Sequence, residues 1–439
     1  MVTREYRSWG HTASGPPTTI VPVHWRSDPP ALARLPGSVL PFACGRSYGD
    51  SCLNGGGALL DVAPLNRFIA FDAQRGLLRC EAGVTLADIL ALVVPRGWFL
   101  PVVPGTKWVS IGGAIANDVH GKNHHRVGTF GAHVAGFELL RSSGARVLCS
   151  PLENAHLFGA TIGGLGLTGL ILWAEIQLKR IRGPAIAMES VRFRGLEDFF
   201  QLCTSDSDFE YTVAWVDCLR RRGPLGRGLF LRGNHSIGSR PASRQTDASP
   251  NSRLPLDPPR ALLNRPMVSA FNAFYYWRQL RSTVSKTVPY DPFFFPLDVV
   301  PGWNRLYGRQ RFFQYQCVVP DDADHYHARD VLTQVRRSQE ACYLAVLKKF
   351  GSTPSPGLLS FPRPGITLAM DFAFRGESTL RLLERLDGIV ADAGGAVYPA
   401  KDARMSGASF RRFFPQWESF AEQVDPKFSS SFWRRVTGR

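Results

Sequence analysis

No stretch of this chain offers the ~20 uncharged apolar residues that a membrane span needs, so no crossing helix is expected. The opening MVTREYRSWGHTASGPP has no apolar core of the kind that directs secretion, and no signal is expected there. Eight cysteines, at 44, 52, 80, 149, 203, 218, 317 and 342, never fall into a C-x-x-C pair, which argues against a disulfide framework and against a zinc site. A reducing, cytoplasmic setting is the simplest reading. There is no internal repeat, and no zinc-finger, helix-turn-helix or RNP pattern, so a nucleic-acid partner is not expected. Acids are also scarce: 36 Asp and Glu against 52 Lys and Arg give a formal charge of +16. That balance would attract a phosphate-bearing cofactor, an anionic lipid surface or nucleic acid, and it equally fits a basic surface kept for solubility.

What is present is ample for folding. With 439 residues, 44% hydrophobic and 11% aromatic, the chain exceeds one ordinary core and two domains are expected. The first 180 residues are glycine-rich and carry short β-like runs: SVLPFAC, ALLDV, FIAFD, LLRCEAG, a run ending near Leu140, and LILWAEIQLKRI. Between them VTLADILALVVPRG has apolar residues at helical spacing, with Thr85 as N-cap, Asp88 three residues on and Gly97 as the stop. From about Gly183 the glycine density falls. GLEDFFQLCTSDSDFEYTVAWVDCL reads as helix then strand, RFFQYQCVVP as strand, and STLRLLERLDGIVADAGG as a helix. The last would be capped by Ser378, would present Leu380, Leu383, Leu386 and Val390 on one face and would end at Gly394. Residues 238–260, rich in Pro, Ser and Arg, read as a mobile loop, either a lid or a tolerated insertion.

Two glycine motifs compete for the chemistry. GGLGLTG contains G-x-G-x-x-G at Gly164, Gly166 and Gly169, but the dinucleotide fingerprint needs a strand before it and a helix after it. Here ENAHLFGATIG before it reads as helix and LILWAEIQL after it as strand, so a nicotinamide site is disfavoured. The segment VVPGTKWVSIGGAIANDVHGKNHHRVGTFG is denser. Its small residues expose backbone N–H groups that could cradle a pyrophosphate and let an aromatic ring lie flat. Its three histidines lack a carboxylate or cysteine set beyond Asp118, so flavin is favoured over metal, and His124 and His125 read more simply as hydrogen-bonded structural residues.

GRSYGD, NGGG, PGT, GGAIA, DVHGKNHH, GTFG, ATIGG, GLTG, QYQ, VVP, LSFP and AKD occur in that order between Gly45 and Asp402. Together they resemble the vanillyl-alcohol oxidase/PCMH-type FAD-binding superfamily and, within it, the decaprenylphosphoryl-β-D-ribose 2′-oxidase family. The resemblance implies an α+β fold: a PCMH-type FAD-binding domain in two parts, 1–182 and 397–439, interrupted by a substrate (cap) domain, 183–396, built on an antiparallel sheet. It implies FAD contacts from Gly45, Arg46, Ser47, Tyr48, Gly49, Asp50, Asn54, Gly105, Thr106, Gly112, Gly113, Ala114, Asn117, His120, Gly121, Asn123, Gly164, Gly166 and Thr168. Many relatives tether the flavin through a histidine in the first of these turns. Tyr48 stands there instead, which implies non-covalent FAD.

The same resemblance implies oxidation of the 2′-hydroxyl of a polyprenyl-phospho-β-D-ribose to the 2′-ketone, with a short-chain reductase completing epimerisation to an arabinose donor. Lys401 and Tyr48 would be catalytic, and Lys348, Gln316 and His120 would bind substrate, Lys348 through its phosphate. The family cysteine ahead of the DF pair is Ala369 here, a change that leaves hydride chemistry intact. A lipid substrate also fits the run NAFYYW…DPFFFPLDVVPGW, which reads either as an ordinary core cluster or as a face leaning peripherally on the inner side of a membrane. The rival activities are a soluble-sugar or aldonolactone oxidase of the same superfamily and, last, a non-enzymatic basic binding protein.

Overall fold

The computed structural model describes residues 5–12, 15–205, 208–237, 264–300, 303, 312–322 and 324–438. The segment 238–260, expected as a loop, lies outside them. The glycine-rich half is built on two main sheets. One is parallel, in the order Thr19–Pro22, Ala58–Asp61, Val39–Phe42. Its central strand is buried along its whole length, as a strand covered on both faces must be. The other is antiparallel, in the order Phe68–Asp72, Leu77–Glu81, Leu170–Gln177, Val134–Leu140, Arg146–Cys149. The helix Leu86–Val93 starts at Thr85 with a full capping box to Asp88. After one 3-10 turn it stops at Gly97, whose φ of +79° suits glycine.

The second half carries an eight-stranded antiparallel sheet: Thr283–Pro289, Ala185–Phe193, Arg227–Ser236, Tyr211–Asp217, Cys342–Phe350, Gly365–Ala373, Phe312–Val319, Ala396–Val397. Side chains alternate between its faces, and the two faces do different work. Tyr315, Cys317, Leu347, Ala214 and Phe230 point into a core shared with the helices Tyr326–Arg337 and Glu377–Asp392. Their neighbours Gln314, Gln316, Lys348, Trp215, Val213 and Leu229 point the other way, into a cavity. The helix Glu377–Asp392 does bury Leu383, Leu386 and Val390. Its N-cap, however, is Gly376 rather than Ser378: the Ser378 hydroxyl is drawn away to Glu340 at 2.7 Å, and Thr379 Oγ1 accepts the Arg375 N–H.

After Ala396–Val397 the chain returns to the glycine-rich half. The helix Ser431–Thr437 sits on the turn at 50–57, where Ser431 Oγ accepts the Gly55 N–H at 3.0 Å and Arg434 donates to Asn54 and to the Gly55 carbonyl. The aromatic run splits. Phe293, Phe294 and Phe295 are core, whereas Phe271, Phe274 and Trp277 on the helix Arg265–Trp277 are exposed.

Candidate active site

A cavity of about 1330 Å³ separates the glycine turns from the free face of the eight-stranded sheet. It exceeds the ~300–1,000 Å³ of an ordinary small-molecule pocket, so it has room for a dinucleotide-sized group and a second ligand. Its wall includes Gly45, Arg46, Ser47 and Tyr48 from the first turn, Gly105 and Thr106 from the second, and Gly112, Gly113, Asn117, His120 and Gly121 from the segment that follows. Gly166, Gln316, Lys348 and Lys401 also reach it.

Seven expected contacts stand behind this wall, each held by the scaffold. An added Cβ on Gly49 would lie 1.5 Å from the Asp402 carbonyl oxygen, so glycine is needed there for chain crossing. Asp50 pairs with Arg435. Asn54 donates to the carbonyls of Ser38 and Ala58. Ala114 is core. Asn123 donates to the Pro101 carbonyl at 2.8 Å. Gly164 packs on the Ala160 carbonyl, and Thr168 shares a 2.9 Å hydroxyl contact with Thr161. The histidines part company as well: His124 packs at a tilt on Phe350 and accepts the Gly351 N–H, while of the three only His120 lines the cavity. Among the described residues no group of three His, Cys, Asp or Glu is placed to hold a metal.

Tyr48 and Lys401 come together from turns far apart in sequence. The Tyr48 N–H donates to the Ala400 carbonyl at 2.8 Å, and Lys401 Nζ lies 3.7 Å from the Tyr48 ring centroid. The ring also makes an edge contact with Phe312. Behind the pair, Arg435 ties the two turns to each other. It donates twice to Asp50, at 2.9 and 2.7 Å, and once to Asp402 at 2.9 Å, and it also reaches the Met405 carbonyl. Burial pushes the Tyr48 hydroxyl well above its ordinary pKa. The same effect brings the Lys401 amine down to about 7, against a weaker opposing pull from Asp371.

A second group meets across the cavity. His120 Nε2 lies 2.8 Å from Gln316 Nε2, and His120 Nδ1 lies 3.3 Å from Lys348 Nζ. Burial, then the charge of Lys348, holds the imidazole well below its usual pKa, so it is neutral. Gln316 also donates to Thr367 Oγ1, whose own proton goes to the Cys317 carbonyl. The neutral imidazole has one proton, so of its two nitrogens one donates and the other accepts, toward Gln316 on one side and Lys348 on the other. Lys348 is lowered to about 7 by burial and by the charges of Lys122 and Lys401. Lys122, at about 8 through burial, is a cavity-lining residue that the sequence reading passed over, although it lies inside HGKNHH. Three amines thus share one cavity wall without a carboxylate salt bridge on any of Lys122, Lys348 or Lys401 among the described residues.

Comparison with known proteins agrees with this geometry. Residues 32–150 match the model of an FAD binding domain. Over 99% of its length the chain is 34% identical to decaprenylphosphoryl-beta-D-ribose oxidase of Mycolicibacterium smegmatis, covering 97% of that protein. The chain belongs to the decaprenylphosphoryl-β-D-ribose oxidase family. It is an FAD-dependent oxidoreductase, of mixed α+β structure consistent with the PCMH-type fold. Within the same similarity range, an uncharacterized protein in the mprA 5′ region of Streptomyces coelicolor is 34% identical over 80% of this chain and all of its own length. The human Delta(24)-sterol reductase is 32% identical over only 31% of this chain and 26% of its own.

The cavity wall fits the FAD that this family membership brings. Arg46 Nε and Ser51 Oγ are buried on the wall with no hydrogen-bond partner, an arrangement that costs free energy unless a ligand satisfies it. A Cβ added to Gly105 would meet nothing within 4 Å, so a side chain there would occupy space that glycine leaves open. Cys52 on the same wall is held in its thiol form, because burial, then Asp50, pushes its pKa up to about 12.

Proposed function

We propose that this protein oxidises the 2′-hydroxyl of a polyprenyl-phospho-β-D-ribose to the 2′-ketone, using FAD bound without a covalent link. The observation that carries the reading is the make-up of the cavity: three amines and a neutral imidazole at one end, continuous with an apolar sheet face formed by Val213, Trp215, Leu229 and Leu231. A phosphate sugar suits the first part and a prenyl chain the second. A soluble sugar or aldonolactone would leave the apolar face unused. The turns at 45–48, 104–106 and 110–117 are assigned to FAD, and Tyr48 in place of a histidine supports the non-covalent mode.

When bound, FAD supplies the acceptor for the hydride leaving the carbinol carbon. The chain's own residues handle the proton and the pose. Lys401, brought down to a pKa of about 7, accepts the hydroxyl proton as general base in its neutral form, and Tyr48 beneath it fixes the amine. Gln316 and His120 orient the ribose. Lys348 and Lys122 bind the phosphate, whose charge restores their protonation and relieves the mutual repulsion of the three amines. The proposed architecture is the interrupted one, with FAD-binding parts at 1–182 and 397–439 around a substrate domain at 183–396. A short-chain reductase would consume the ketone, on the cytoplasmic side of the membrane. Anaerobic stopped-flow of a Lys401→Ala variant tests the assignment: flavin reduction should slow by about 10²-fold or more, and a wild-type rate would refute it.

A further inference from the structure

The helix Arg265–Trp277 carries three stripes. Val268, Asn272 and Tyr276 face inward. Met267, Phe271, Tyr275 and Arg278 line the mouth of the cavity. Phe274, Trp277 and, just beyond the helix, Leu280 turn to solvent, 70%, 54% and 81% exposed, and Phe271 is itself 56% exposed. Single exposed apolar residues are ordinary, but a contiguous aromatic face on the rim of a cavity marks an interaction surface. Its charge is one-sided. Residues 264–290 contain Arg265, Arg278, Arg281 and Lys286 and no Asp or Glu, and the last three of these cations are exposed. Two copies of such a face would repel each other, whereas an anionic lipid surface complements it.

We propose that this face docks the enzyme on an anionic bilayer, with Phe274, Trp277 and Leu280 entering the interface and Arg278, Arg281 and Lys286 meeting the headgroups. The proposal rests on the lipid-sugar reading above and supplies the route by which such a substrate arrives. Behind Phe271 the cavity wall continues through Val284 and Val288 on the edge strand to Leu231, Leu229 and Trp215. A prenyl chain leaving the bilayer can therefore follow an apolar strip to Lys348 and His120 without crossing water. An amphipathic helix rich in aromatics on one side and bordered by basic residues is the element that lies in a membrane interface.

The test uses the FAD-loaded enzyme and a Phe274→Ser/Trp277→Ser/Leu280→Ser variant whose flavin spectrum and thermal midpoint match the wild type; none of the three residues lines the cavity. Both are sedimented with phosphatidylglycerol–phosphatidylcholine vesicles and with pure phosphatidylcholine vesicles. The wild type should bind the anionic vesicles about tenfold more tightly than the neutral ones, and the variant should lose about tenfold on the anionic ones. In parallel, flavin reduction by a short-prenyl phosphoribose in solution should be equal in the two proteins, while reduction by a long-chain substrate in vesicles should slow about tenfold in the variant. Wild-type enzyme that stays in the supernatant, or a variant that sediments equally, overturns the proposal. So does a wild-type dimer that the variant converts to monomer, since the face would then belong to a second copy. If vesicle binding behaves as expected but neither lipid sugar reduces the flavin, docking stands and the substrate assignment falls.

Discussion

Replacing Arg435 with Met should damage both stability and the site, although the residue touches no part of the cavity. Its guanidinium is only partly exposed and holds Asp50 and Asp402, whose side chains are nearly sequestered. Burial opposes its charge, but the hydrogen bond to Asp50 and the fields of Asp402 and Asp50 outweigh it and raise its pKa. Asp402 keeps the Arg404 and Met405 N–H groups if Arg435 is lost. Asp50 loses both of its Arg435 bonds and keeps only the more distant charge of Arg434. Breaking one side of a buried ion pair typically costs about 3–5 kcal/mol, and the retained partners of Asp402 place this case near the lower end, about 3 kcal/mol. Arg435→Lys should lose about half of that, since an ammonium cannot span Asp50 in fork geometry and reach Asp402 as well. Asp50→Asn/Arg435→Met should cost less than the sum of its single changes, by about 1–3 kcal/mol. Denaturant titration followed by flavin fluorescence measures all three. An Arg435→Met midpoint equal to wild type, or strict additivity in the double variant, would refute the clamp.

Further outcomes follow from the same geometry. With Lys401 near pKa 7, the rate of flavin reduction should rise with pH through about 7 and level off above it, and Lys401→Met should flatten the profile; an unchanged profile in that variant assigns the base elsewhere. Lys348 and Lys401 drop from 10.5 to about 7 on folding, so between those values the unfolded chain binds more protons than the folded one, and stability rises with pH across that window. The Lys348→Met/Lys401→Met protein should show a shallower rise in thermal midpoint from pH 7 to about 10, and equal slopes would count against the buried amines. Gly49→Ala forces a methyl against the Asp402 carbonyl and should cost at least about 1–3 kcal/mol, read as a lowered flavin-release temperature. Acid precipitation should leave FAD in the supernatant; flavin retained in the pellet would contradict non-covalent binding.

Much of this was legible because it is local. Thr85 and Asp88 form their capping box within one helical turn, and Gly97 stops the chain just past the following 3-10 turn by its own φ. The strand-then-helix test correctly set aside GGLGLTG, since the helix Ala155–Thr161 precedes it and the strand Leu170–Gln177 follows. What escaped depends on distant partners. Ser378 has the chemistry of a cap, but Glu340 competes for its hydroxyl from 38 residues away. Gly49 and Gly105 look alike in sequence: one avoids a crossing backbone and the other leaves space on a cavity wall. Alternation in TVAWVD identifies a strand, but it cannot say that the face bearing Trp215 meets a cavity while the face bearing Ala214 meets the core. The aromatic run offered core or surface, and the chain uses it for both.

The measurement that bears most directly on the account is anaerobic addition of a polyprenyl-phospho-ribose to the purified yellow protein, followed by its visible spectrum. The account predicts bleaching of the flavin band with one ketone formed per flavin reduced. A flavin that stays oxidised with the lipid sugar but bleaches with a free sugar or an aldonolactone would contradict it.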